Sequence, residues 1–215
     1  MSAPDGPTTG RRGLSLGDLV LLAVLATVLG FLYWALVQAW GALQLAMGPF
    51  GDLAQHVLAG GWMVAAPLAT YIVRKPFVGI VVEILAAFVE VVFLASPVGP
   101  MLLLVGFVQG AGAELPFALT RYRRYGWGVF VASGVSAACA SVLMGAIRFG
   151  WLQQDWFAWR VGLTLVSSVL LCGLLARVLG DALARTGVLD NTALGRARRA
   201  AARPAPQPHD EVTVA

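Results

Sequence analysis

Six apolar runs, each about as long as a bilayer is thick, follow one another along this chain with only short polar breaks between them. A hydrocarbon core about 30 Å thick takes ~20 helical residues to cross. A segment in lipid must also satisfy its own backbone, which a helix does alone. The runs read as helices over residues 16–38, 57–73, 77–95, 101–120, 127–147 and 156–179. The breaks are chemically marked. Gly48-Pro49 and Gly51 interrupt the first, Arg74-Lys75-Pro76 ends the second, and Ser96-Pro97-Val98-Gly99-Pro100 makes a compact turn after the third. The expected fold class is all-α: a polytopic membrane protein with six transmembrane helices.

Composition leaves no room for a soluble domain. Hydrophobic residues make up 59 % of the chain and charged residues only 12 %, about half the charge of a soluble domain. Mean hydropathy is +0.79. The expected division is an N-terminal tail over 1–15, a membrane domain over 16–189, and a basic, largely disordered tail over 190–215. Residues 1–13 lack the pattern of a cleaved leader, and the run that follows is too long for one.

The basic residues orient the bundle. Of the 15 lysines and arginines, 13 fall on one side if six spans alternate: Arg11 and Arg12, Arg74 and Lys75, the arginines of 121–124, and all those from Arg177 on. Only Arg148 and Arg160 fall on the other. The positive-inside rule then places both termini in the cytoplasm. It also explains the net charge of +4 without a nucleic-acid partner. Trp34, Trp40, Trp151, Trp156 and Trp159 read as the outer aromatic belt, and Tyr122, Tyr125 and Trp127 as the inner one.

Three carboxylates sit inside expected spans: Glu83, Glu90 and Glu114. Each costs roughly 2.5–3.5 kcal/mol at the centre of a membrane helix, so each should face protein or a wet cavity. Glu83 and Glu90 are two turns apart, about 10 Å along one face. The tight turn after residue 95 makes the third and fourth spans antiparallel neighbours, so Glu90 and Gln109 converge on an outward-facing pocket. Glu83 and Glu114 lie deeper, as its floor or a gate. The alternative is that all four only hydrogen-bond between helices. Tyr33 and Trp62 are the aromatics best placed to stack on a ligand.

Small residues mark possible helix contacts. Gly106, Gly110 and Gly112 allow close backbone approach. Ala23, Ala26, Thr27 and Gly30 form a stripe on the first span, suited either to internal packing or to a sliding contact with another membrane subunit. Cys139 and Cys172 read as packing residues. His56 and His209 cannot build a metal site between them. Ser136 has no histidine in the membrane interior to activate it, so no catalytic residue, metal or cofactor is expected. No phosphate-binding loop is present, and ATP hydrolysis would have to come from a partner.

The block Arg74-Lys75-Pro76, Glu83, Glu90, Pro97-Val98-Gly99-Pro100 and Val108-Gln109-Gly110-Ala111-Gly112-Ala113-Glu114 resembles the YkoE family. These are substrate-binding S components of energy-coupling-factor importers for thiamine or its hydroxymethylpyrimidine half. Thr186-Gly187-Val188-Leu189 and Ala193-Leu194-Gly195 resemble that family too. Ser96 stands where its members carry asparagine. The resemblance implies a six-helix protein that captures the vitamin from outside and works with a transmembrane T component and paired ATPase domains. It also implies that the stripe Ala23–Gly30 meets the T component. Two other classes are a self-sufficient secondary transporter or channel and a ligand-free membrane assembly protein.

Overall fold

The computed structural model describes residues 13–202. Arg11, Arg12, Arg203, His209 and the outermost parts of both expected tails lie outside them. Among the described residues every regular element is helical. The elements are α1 (Leu16–Met47), α2 (Ala54–Leu58), α3 (Ala65–Val73), α4 (Val78–Val92), α5 (Met101–Leu119), α6 (Trp127–Phe149), α7 (Phe157–Ser167), α8 (Leu175–Arg185) and α9 (Ala193–Ala202). Four stretches are long and apolar enough to cross a membrane: Leu16–Val73, Met101–Leu119, Trp127–Phe149 and Phe157–Arg185.

The first of these is two rods in one. α1 opens on a reciprocal cap, with the Asp18 N–H donating to Ser15 Oγ at 3.2 Å and the Ser15 N–H to Asp18 Oδ2 at 2.9 Å. It runs nine residues beyond the expected end at Gln38, because nothing before Gly48 breaks it. Gly48 adopts φ +54° and reverses the chain. The next stretch was expected to be a loop over 39–56 and a span over 57–73. It is instead a chain of short helical pieces: a 3₁₀ turn Gly48–Leu53, α2, a second 3₁₀ turn Ala59–Met63, then α3. Pro49 is tolerated because it sits in a first turn, where its missing N–H has no partner to lose. α3 has only nine residues, about 13 Å of helix, and every one is buried. It is the axis of the bundle.

α4 packs between α1 and α5, α5 packs on α6, and α6 packs on a π-helical segment, Ser168–Leu174, that joins α7 to α8. The glycines of α5 make this possible. A side chain at Gly110 would lie 3.0 Å from the Cα of Ile80, and one at Gly112 would lie 2.7 Å from the Cβ of Ala140. They seat α4 and α6 within one chain.

The small-residue stripe on α1 is divided by the fold. Ala26 and Gly30 are buried, and a Cβ at Gly30 would stand 2.7 Å from the Ala86 carbonyl of α4. Both are internal packing positions, closed to a partner. Ala23 and Thr27 remain exposed. A further difference lies at the C-terminus. Part of the segment expected as a largely disordered tail forms α9, whose Leu194 is fully buried and which packs on α3.

Candidate functional site

A cavity of about 150 Å³ lies among the C-terminal halves of α1, α4 and α6, the N-terminal half of α5, α7 and the broken segment 48–63. On a scale where one water needs ~10–15 Å³, it holds roughly ten. Tyr33, Trp62, Glu83, Glu90 and Gln109 all line it. Glu114 does not. Five of the six residues singled out from sequence for a binding role are thus brought together, and the sixth lies toward the opposite end of the bundle.

What separates the glutamates is how much of each carboxylate the protein consumes. The break before α3 leaves the first N–H groups of that helix without intrahelical acceptors. Tyr33 and Glu83 supply them. The Ala65 N–H donates to Tyr33 Oη at 3.0 Å, the Tyr33 hydroxyl donates to Glu83 Oε1 at 2.8 Å, and the Ala66 N–H donates to Glu83 Oε2 at 2.8 Å. The carboxylate also sits where the dipole of α3 favours negative charge. Trp62 is anchored to the same place, its indole N–H donating to the Tyr33 carbonyl at 3.1 Å.

Glu114 does the same work for α4. It accepts the Ile80 N–H at 2.9 Å and the Tyr122 hydroxyl at 2.8 Å. Burial, then the hydrogen bond to this carboxylate, push the Tyr122 phenol up from its ordinary value, so it stays a donor. Glu114 is therefore the brace of the Arg74–Phe77 turn.

Glu90 is different. It is 1 % exposed, and its carboxylate accepts one hydrogen bond from a described residue, from Ser96 Oγ to Oε1 at 2.9 Å. Oε2 receives none. The Gln109 amide, on the facing helix, makes no hydrogen bond to any described residue, and the Trp40 indole N–H is buried without an acceptor. A carboxylate oxygen, an amide and an indole donor thus border one cavity with unspent hydrogen-bonding capacity. Such groups are costly in a membrane interior unless something visits them.

Sequence reasoning missed part of this wall. Trp40 and Trp151 were assigned to an interfacial belt, yet both line the cavity, Trp40 edge-on to Trp62 with centroids 6.5 Å apart. His56 and Arg160 were set aside, the first as a failed metal ligand and the second as a topology marker. Both are buried. Arg160 pairs with Asp52 and donates to His56 Nε2 at 3.2 Å. Arginine is only a donor, so Nε2 accepts and Nδ1 carries the proton toward Thr164 Oγ1, 3.0 Å away. The chain Asp52–Arg160–His56–Thr164 ties the broken segment to α7. The spacing of Asp52 and His56, one turn apart, and an arginine inside an apolar run were the available signals.

The comparisons with known proteins agree with this architecture. The family described as "ABC-type cobalt transport system, permease component" matches residues 17–140. A Bacillus subtilis (strain 168) protein named as a candidate HMP/thiamine permease, YkoE, is 34 % identical over 181 residues, covering 83 % of this chain and 89 % of that one. A solved structure titled as an S component of an ECF transporter superposes with a TM-score of 0.81 at 32 % identity, covering 88 % of this chain and 95 % of that one. This chain belongs to the YkoE family of transporter S components. It is a multi-pass protein of the plasma membrane and the substrate-binding subunit of an energy-coupling-factor importer. The walls of the cavity come from α1, α2, α4, α5, α6 and α7, which is why no local motif announces it.

Proposed function

We propose that the cavity captures thiamine or its hydroxymethylpyrimidine half from outside the cell, for ATP-driven uptake with a T component and paired ATPase domains. The observation that carries this reading is that the unspent oxygen of Glu90 and the unspent amide of Gln109 belong to residues lining one aromatic-walled cavity. An aminopyrimidine offers donor and acceptor edges to match a carboxylate and an amide. Thiamine adds a permanent thiazolium charge, which a carboxylate in low dielectric attracts strongly. Trp62 and Trp40 offer faces for either ring. Glu83 shares the wall but is already committed to α3. The YkoE relative's name supports the same ligands.

Orientation supports an outside mouth. The cavity lies at the end of the bundle away from Arg74, Lys75 and Arg121–Arg124. The positive-inside rule assigns that basic end, and both termini with it, to the cytoplasm. Exposed Ala23 and Thr27 are what remains of the α1 stripe to meet a T component.

Cobalt, named in the matching family description, is a second cargo to consider. Among the described residues no group of three or more His, Cys, Asp or Glu side chains could hold a metal ion, and His56 is held by Arg160 and Thr164. A titration of the purified protein with thiamine, hydroxymethylpyrimidine and cobalt(II) tests the assignment. Saturable binding of an organic ligand is the expected result; binding of cobalt alone would overturn it.

A further inference from the structure

At the end of the bundle opposite the cavity, two loops line a second pocket. One is the turn between α3 and α4, carrying Arg74, Lys75, Pro76 and Phe77. The other is the end of α5 and the loop after it, carrying Arg121, Tyr122 and Arg123. Four of these residues, Arg74, Phe77, Arg121 and Tyr122, hold positive φ values of 54–64° without being glycine, a costly backbone for a side chain to accept.

The charges in this pocket are unequally spent. Lys75 pairs with Asp18 at 2.6 Å. Arg74 stacks over Tyr125, 4.4 Å from its ring centre. Both oxygens of Glu114, which sits behind Tyr122, are engaged. Among the described residues, Arg121 and Arg123 have no acidic partner within ion-pair distance, and both are exposed.

Apolar surface runs away from the same spot. Phe77, which lines the pocket, is 67 % exposed, and Leu119, next in sequence to the lining residue Ala118, is 76 % exposed. Below Phe77, the exposed residues Val81, Leu85 and Phe88 continue one ridge of α4 at helical spacing. A pair of unpartnered guanidinium groups above an apolar rail matches a molecule with an anionic head and a hydrocarbon chain. It does not match a free anion, which has no use for the rail.

We infer that this pocket binds the phosphate headgroup of an anionic phospholipid, with an acyl chain lying along the α4 ridge. Guanidinium groups bind phosphate oxygens through paired N–H donors, and basic pockets between membrane helices on the cytoplasmic side are suited to such headgroups. The choice of the cytoplasmic leaflet rests on the orientation proposed above; the binding itself does not. The site would hold the basic end at the interface of its own leaflet without touching the substrate cavity.

The test uses the full chain in a neutral detergent, following thermal unfolding while phosphatidylglycerol, phosphatidylcholine of the same chains, or glycerol phosphate is added. Phosphatidylglycerol should raise the unfolding temperature saturably, and the other two should not. In the double variant Arg121→Gln/Arg123→Gln the half-saturating phosphatidylglycerol concentration should rise by about tenfold or more. Thiamine binding should stay unchanged. Arg121→Lys/Arg123→Lys, which keeps the charge but not the paired donors, should weaken the lipid effect by less than the glutamine variant does but measurably, which covers the case where the glutamine variant fails to fold. Equal shifts with both phospholipids, or a glutamine variant that titrates like the natural protein, would overturn the inference. A full shift with glycerol phosphate would make this a site for free phosphate esters. Loss of uptake in the assembled importer with an unaltered lipid titration would give the surface to a protein partner. Outside labelling at Arg123→Cys in cells would contradict the orientation alone and leave the lipid titration standing.

Discussion

The two glutamates at helix starts, Glu83 and Glu114, differ from Glu90 in what the protein itself does with the carboxylate. Glu83 closes the N-terminus of α3 with Tyr33, and Glu114 closes that of α4 with Tyr122. In both places a tyrosine hydroxyl takes one oxygen and a backbone N–H takes the other. Glu90 accepts one serine hydroxyl and keeps an oxygen open toward the cavity. The comparison teaches that a carboxylate inside a membrane bundle is not a ligand contact by position alone. Two of the three here serve chain breaks, which lipid cannot satisfy, and the remaining one is free to serve a ligand.

The comparison can be broken by substitution. The largest effect should come from Glu114→Ala, which orphans the Ile80 N–H and the Tyr122 hydroxyl together. Each unsatisfied buried donor costs roughly 1–3 kcal/mol, so unfolding in detergent should show a loss of about 3 kcal/mol or more. A loss near zero would mean that water or lipid replaces the carboxylate, and the brace would be illusory.

Glu83→Gln should have a smaller effect. The amide oxygen can still accept the Ala66 N–H, but the NH₂ group then faces Tyr33, whose hydroxyl must give up its donor role. A loss of about 1–2 kcal/mol is expected. Tyr33→Phe orphans the Ala65 N–H and takes the donor from Glu83 Oε1, so its loss should be comparable, about 1–2 kcal/mol. A loss near zero for Tyr33→Phe would leave the carboxylate alone as the cap of α3.

These roles also show what a sequence can disclose. The apolar runs, the turn at 96–100 and the placing of Glu90 and Gln109 on neighbouring helices around one cavity followed from helical spacing and one tight connection, which are local facts. The chain of short pieces over 48–63 did not, because its glycines and single proline are equally compatible with a loop. That break creates the need for Glu83 and Tyr33 as caps, so their shared role was hidden with it. Arg160 is apolar in context and charged in kind. Only the approach of Asp52 and His56 from a residue separation above a hundred explains its burial. The α1 stripe illustrates the same limit. Ala23, Ala26, Thr27 and Gly30 look alike in sequence, yet α4 claims the second and fourth.

The most direct test is Glu90→Gln, read twice in the same purified protein. Ser96 can donate to an amide oxygen as well as to a carboxylate, and no other described donor is left orphaned. Stability should therefore stay within about 1 kcal/mol of the natural protein. A lost charge pair should weaken thiamine by at least about tenfold, and by more than it weakens the neutral hydroxymethylpyrimidine. Near-natural unfolding with that unequal loss of binding is the result predicted here. Unchanged binding of both ligands in a folded Glu90→Gln protein would contradict it, and Glu90 would join Glu83 and Glu114 as part of the frame.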